Sequence, residues 1–176
     1  MLTADELCGA FSEATGKGNN NPYLMHLVVR KGNDYFLYVY NAYSSSLAND
    51  PLTLKTVIPI PAEVGHKAAV WFGAFSVRYG FYAIGNRIMK FDYLNITQFA
   101  PEEKPFRLYD DKYEIVDVFV LIAGTALSDK DDCTVVYLYD REKKTTTIDV
   151  YNTVTGEDLH TYEDILPGRG VEFIKK

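Results

Sequence analysis

The chain has 176 residues, a net charge of −6 and a hydrophobic share of 47%, enough for one packed domain and too apolar for a disordered chain. Its 14 tyrosines and 10 phenylalanines favour pleated, half-buried surfaces, hence β structure. The acidic balance and the lack of a basic run argue against nucleic-acid binding, and no apolar run approaches the ~18 residues of a spanning helix.

Residues 1–20 read as an N-terminal arm or a short helix over 4–14, with Thr3 as N-cap and Glu6 three residues on. The stretch lacks the basic region and long apolar core of a signal peptide. Two readings stay open, a cytosolic chain or one whose signal has been removed. Residues 16–22 are a loop rich in Gly and Asn. From Tyr23 onward the pattern is β. Strands are expected over residues 23–29, 35–40, 52–58, 69–77, 81–84 and 87–91, then 106–109, 113–123, 134–139, 145–151, 159–162 and 171–174. Gly85-Asn86 supplies the positive φ of a tight hairpin. Pro59 and Pro61 end the third strand, because neither donates to a ladder. Residues 62–67 read as a loop, and 166–170 as a turn. Roughly a dozen strands with short links point to a sandwich, barrel or propeller.

Four strands end in an aromatic followed by Asp or Asn: Tyr40-Asn41, Phe91-Asp92, Tyr139-Asp140 and Tyr151-Asn152. The first three lie about 50 residues apart, the period of a four-stranded propeller blade. The aromatic would pack between sheets, and the Asp or Asn would cap the following turn. The fold expected is therefore all-β, with β-propeller-like repeats over residues 21–176. About three four-stranded antiparallel blades would form a partial or open propeller, part of a larger protein. A β-sandwich is the alternative. Residues 35–40, 87–91 and 135–139 are expected to be equivalent strands.

The segments GFYAIGNRIMKFDYLN (80–95), TVVYLYD (134–140) and GRGVEFIK (168–175) resemble the C-terminal part of PKD-like lipoproteins of Bacteroides-type bacteria. The resemblance covers roughly residues 23–176. It implies propeller-like repeats and an extracytoplasmic setting, at the cell surface or in the periplasm. It brings no catalytic residues, because the shared motifs are structural. The lipobox cysteine and the immunoglobulin-like part of that family are not in these residues. Closed propellers use four to eight blades, so three would leave edges open to self-association or another partner.

Aromatic residues at strand ends are the ligand-binding candidates: Tyr43, Tyr79 and Tyr109, whose rings could stack on a sugar or a partner surface. Trp71 lies in an apolar strand and is expected in the core. His26, His66 and His160 are scattered without metal-ligand spacing, and Cys8 and Cys133 read as two separate thiols, with one disulfide as the alternative. Asp129, Asp131 and Asp132 lack the glycine and closing glutamate of a calcium loop and read as a solvated acidic loop. Asn95-Ile-Thr97 fits a glycosylation sequon, which matters only in a eukaryotic secretory setting. No metal, cofactor or nucleophile motif emerges. The expected function is a non-catalytic binding or scaffold module of the bacterial cell envelope, recognising glycan or protein through blade-face loops. The alternative is a propeller-type hydrolase acting on carbohydrate through loop carboxylates such as Asp110, Asp111, Asp131 and Asp132. An intracellular scaffold is a third reading.

Overall fold

The computed structural model describes residues 5–13, 23–42, 53–68, 70–72, 79–92, 98–121 and 132–169. They form three four-stranded antiparallel sheets, each a meander of strands consecutive in the chain. The first holds β1 (Glu6–Glu13), β2 (Tyr23–Lys31), β3 (Asp34–Ala42) and β4 (Thr53–Ile60). A short helix α1 (Ala62–Lys67) leads on. The second holds β5 (Val70–Phe72), β6 (Tyr79–Ile84), β7 (Arg87–Asp92) and the two-residue β8 (Arg107–Leu108). The third holds β9 (Tyr113–Leu121), β10 (Cys133–Asp140), β11 (Thr145–Asn152) and β12 (Asp158–Pro167). The chain is all-β, and its described residues form three blade-like sheets and no closed barrel.

The first strand of each sheet lies innermost, since β1 packs beside β5 and β5 beside β9. Gly9 permits the first of these approaches. A Cβ there would fall 2.6 Å from the Cβ of Trp71, so a side chain would push the two inner strands apart.

Side-chain alternation sets the layers. Val28, Leu37 and Ile58 are direct cross-strand partners and share one face of the first sheet. They meet Trp71, Tyr82 and Phe91 of the second sheet in one core cluster. From the same second sheet, Phe81 and Ile88 point the other way and pack on Val118, Leu138 and Tyr151 of the third. The second sheet is thus covered on both faces, which explains the unbroken apolar run at residues 81–84. Trp71 is core, as its apolar strand suggested.

Turn chemistry follows the side chains. The β2–β3 and β6–β7 hairpins are closed by Gly32-Asn33 and Gly85-Asn86, with glycine φ values of 62° and 57°. The asparagines are not in the left-handed region, the arrangement of a turn whose first central residue is glycine. The expected aromatic–Asx caps are present at two strand ends. Asp140 Oδ1 accepts the N–H groups of Glu142 and Lys143 at 2.9 Å each. Asn152 Oδ1 accepts those of Val154 and Thr155 at 3.0 and 2.9 Å. Each turn then closes with a backbone bond, Lys144 N–H to the Asp140 carbonyl at 2.7 Å and Gly156 N–H to the Asn152 carbonyl at 2.8 Å. The closing residue is left-handed in both, φ 59° at Lys144 and 73° at Gly156. Only the second turn uses the residue that tolerates this angle freely. Lys144→Gly should therefore stabilise the fold by about 0.5–1 kcal/mol, read as a higher urea midpoint; an unchanged or lower midpoint would contradict this account of the turn.

Six sequence expectations change. Pro59 does not end its strand: β4 runs through it to Ile60, because β4 is an edge strand with one side free of ladder bonds. Residues 6–13 form a strand and not a helix, because every residue but Cys8, at a bulge, finds a ladder partner in β2. The first sheet accordingly begins at Glu6 and not near residue 21. Residues 62–67 are helical where a loop was expected: Pro61 accepts from Val64 and Gly65 and starts the turn. The last described strand runs to Pro167, absorbing part of the turn expected at 166–170, because β11 offers partners as far as Thr145. The repeat also has a different frame. Residues 35–40 and 87–91 lie in the third strands of their sheets, but 135–139 lies in β10, a second strand. The third-strand equivalent is β11, so Tyr40-Asn41, Phe91-Asp92 and Tyr151-Asn152 are the true repeat. Tyr139-Asp140 is an extra cap one strand earlier. The expected strand at 171–174 lies outside the described residues.

Candidate functional site

A four-stranded meander puts its second–third turn and its link to the next sheet at one end. The Gly85-Asn86 turn, the 109–112 link and the 141–144 turn therefore meet. Tyr109 N–H donates to the Asn86 carbonyl at 3.0 Å, and Arg141 N–H to the Lys112 carbonyl at 2.9 Å. Where they meet, a cleft of about 580 Å³ opens between the second and third sheets. Ala83 and Ile115 line its apolar part, and Asn86, Tyr113, Glu114, Arg141 and Arg169 bring polar groups and one ring.

The polar groups are held by one another. Asn86 Nδ2 donates to the Tyr109 carbonyl and, at 3.1 Å, to Asp111 Oδ1. Arg169 Nη2 donates to Glu114 Oε1. Arg141 Nη1 donates to the Asp111 carbonyl at 3.1 Å, while its Nε stands 3.9 Å from Glu114 Oε2. Behind the turn, Lys112 Nζ lies 3.6 Å from the buried Asp140 carboxylate and 4.8 Å from the Tyr113 ring centroid. The hydrogen bonds from the Lys143 and Glu142 backbone, aided by Lys112, hold the Asp140 carboxyl below its ordinary range against the opposing effect of burial. The cleft wall is thus a rigid set of donors and acceptors on strand ends and tight turns, suited to fixing a polar ligand.

The residues singled out from sequence sit elsewhere. Tyr79 opens β6, pairs with Asp92, and has Lys90 Nζ 4.6 Å from its ring centroid. Tyr109 lies by the turn at the opposite end of that hairpin. Its O–H lies 2.8 Å from the Tyr151 hydroxyl, which itself donates to Asp149 at 2.9 Å. Burial, then the neighbouring Tyr151, pushes the Tyr109 phenol well up. The structure does not bring Tyr79 and Tyr109 together at one surface, because they stand at opposite ends of the β6–β7 hairpin; like Tyr113, both are partly buried against the second core cluster. Tyr43, Asp129 and Asp131 lie outside the described residues, as does the Asn95 sequon. Asp111 does line the cleft, but Asp132 is at the opposite end of the third sheet, where its carbonyl accepts from Thr153. His26 is buried in β2, His66 is exposed in α1, and His160 is exposed in β12. Among the described residues no three His, Cys, Asp or Glu side chains converge on a metal position. Cys8 in the first sheet and Cys133 in the third are separate thiols.

Sequence reasoning passed over Asn86, Tyr113, Glu114, Arg141 and Arg169 because each looked like turn or strand-end chemistry. The blade period carries the missing signal. Once four strands are counted per sheet, alternate turns fall on the same end, and these residues fall with them.

No helix among the described residues is long and apolar enough to cross a membrane. Comparison with protein-family models, curated proteins and solved structures returned no match.

Proposed function

We propose that the chain is a non-catalytic binding module of a bacterial cell envelope that recognises a glycan in the cleft between its second and third sheets. The observation that carries this reading is the cleft itself. It combines a tyrosine ring, an amide, two guanidiniums and two carboxylates on strand ends and turns, the mixture of flat apolar surface and directional polar groups that sugars need. The envelope setting rests on the resemblance of the 80–95, 134–140 and 168–175 segments to PKD-like lipoproteins. As a scaffold, the module would present the cleft on an assembly joined through its outer sheets.

The test is a glycan array followed by calorimetry on the hits. Tyr113→Ala should weaken binding about five- to tenfold, the ~1 kcal/mol of a stacked ring. An empty array, or hits indifferent to Tyr113, Arg141 and Arg169 alike, removes the cleft from consideration. Release of shortened products would instead support the carbohydrate hydrolase, with Asp111 and Glu114 as its carboxylates.

A further inference from the structure

We infer that the ligand of this cleft is an acidic glycan, whose carboxylate or sulfate lies against Arg141 and Arg169. The inference rests on the cleft being a glycan site and adds the ligand's charge. Its ground is a surplus of donors. Each guanidinium carries five N–H groups in a fixed fork, about ten for the pair. Among the described residues, Arg169 commits one nitrogen to Glu114, and Arg141 commits Nη1 to the Asp111 carbonyl. Arg141 Nε at 3.9 Å from Glu114 is beyond hydrogen-bond length. Both arginine side chains are about half exposed, 56% at Arg141 and 46% at Arg169.

The acceptors are fewer: each of the two carboxylates has one oxygen taken and one left. Asp111 Oδ1 takes the Asn86 amide, and Glu114 Oε1 takes Arg169. A neutral sugar brings hydroxyls, which donate as readily as they accept. A carboxylate or sulfate brings acceptors alone and matches the guanidinium fork in pairs. The chain's net charge of −6 does not decide the matter. Screening at physiological ionic strength confines charge effects to about 8 Å, and at the cleft the two arginines face Asp111 and Glu114, so an incoming anion gains its place by displacing Glu114 from its arginine. Glu114 then has a definite role. Its carboxylate sits on Arg169 where the ligand's anion would sit, so it competes with that anion and keeps the arginine oriented until the anion arrives.

The experiment is calorimetry of the whole chain with three probes: a short oligogalacturonate, its methyl-esterified counterpart, and a sulfated neutral oligosaccharide. An acidic probe should bind at least about tenfold more tightly than the ester, and its affinity should fall as salt is raised. Stronger binding of the uronate assigns the group as carboxylate, and stronger binding of the sulfated probe assigns it as sulfate. Arg141→Gln and Arg169→Gln should each cost about tenfold. Glu114→Gln should tighten the acidic probe, because the internal competitor loses its charge. Arg141 is on an exposed turn, so its variant tests the idea even if Glu114→Gln melts early in a thermal scan. If ester and acid bind equally, or Glu114→Gln weakens both alike, the ligand is neutral: the acidic inference falls and the glycan reading stands. If none of the three probes binds, the acidic inference falls, and the glycan array decides the glycan reading separately.

Discussion

Replacing Phe91 by alanine should lower stability by about 3–5 kcal/mol, the cost of emptying a fully buried aromatic site. Phe91 is 0% exposed. Its ring centroid lies 4.9 Å from that of Phe99, 6.2 Å from Tyr82 and 6.3 Å from Trp71. It is the third-strand aromatic of the second sheet, and it fills the seam between the first two sheets. Its cross-strand partner is Gly80, where an added Cβ would fall 2.5 Å from the tip of the Phe91 ring. On that side the ring lies over bare backbone, and on the others its neighbours Trp71, Tyr82 and Phe99 are already packed on one another, so the hole closes poorly. Phe36 is the control. It is half-buried on the other face of the first sheet, stacked edge-on to Tyr38 at 6.3 Å, and Phe36→Ala should cost under about 2 kcal/mol. Urea unfolding of both variants decides it. Equal losses would mean that the seam is not the main store of stability.

Acid should destabilise the protein through His26 well before its carboxylates are protonated. His26 is 0% exposed in β2, and burial, with Lys55 adding a smaller repulsion, pulls its imidazole down to about 4 from an ordinary value of 6.5. The folded state thus binds the proton less readily than the unfolded state. Stability from this group is complete above pH ~6.5, declines as pH falls, and is gone below pH ~4. The shift of about 2.5 units corresponds to roughly 3 kcal/mol. Asp140 acts in a lower window. Its folded value lies below 3.8, so its contribution is lost only as pH falls from that region through the folded value. Urea midpoints measured from pH 7.5 to 4 should therefore drop in the wild type. His26→Leu should flatten that drop, whatever it does to stability at pH 7.5. A variant with the same acid slope as the wild type would show that another group titrates there.

Much of the architecture was legible in the residues. Alternation located β4, an edge strand buried on one face, and aromatic or apolar runs between turn signals located β2, β3, β9, β10 and β11. Gly32-Asn33 and Gly85-Asn86 were legible because positive φ narrows the choice of residue. The caps of Asp140 and Asn152 were legible because a short side chain next to a turn has its partners within three residues. These features depend on neighbours in sequence, and the sequence by itself determined them: an all-β chain of repeated meanders with aromatic seams.

Other features depend on contacts between distant segments, and only the tertiary structure decided them. Thr3 and Glu6 make a capping-box pattern ahead of a weak helical tendency, yet a ladder with β2, broken only at the Cys8 bulge, outweighs a local preference worth tenths of a kcal/mol per residue. The true repeat frame required knowing which strand is innermost, which local pattern does not encode. The cleft is the clearest case. Asn86, Glu114 and Arg169 are separated by 28 and 55 residues along the chain, yet they line one wall. A binding site made of turn ends is a product of sheet order, and sheet order is set by the burial of Phe81, Tyr82, Ile88 and Phe91 between two neighbours.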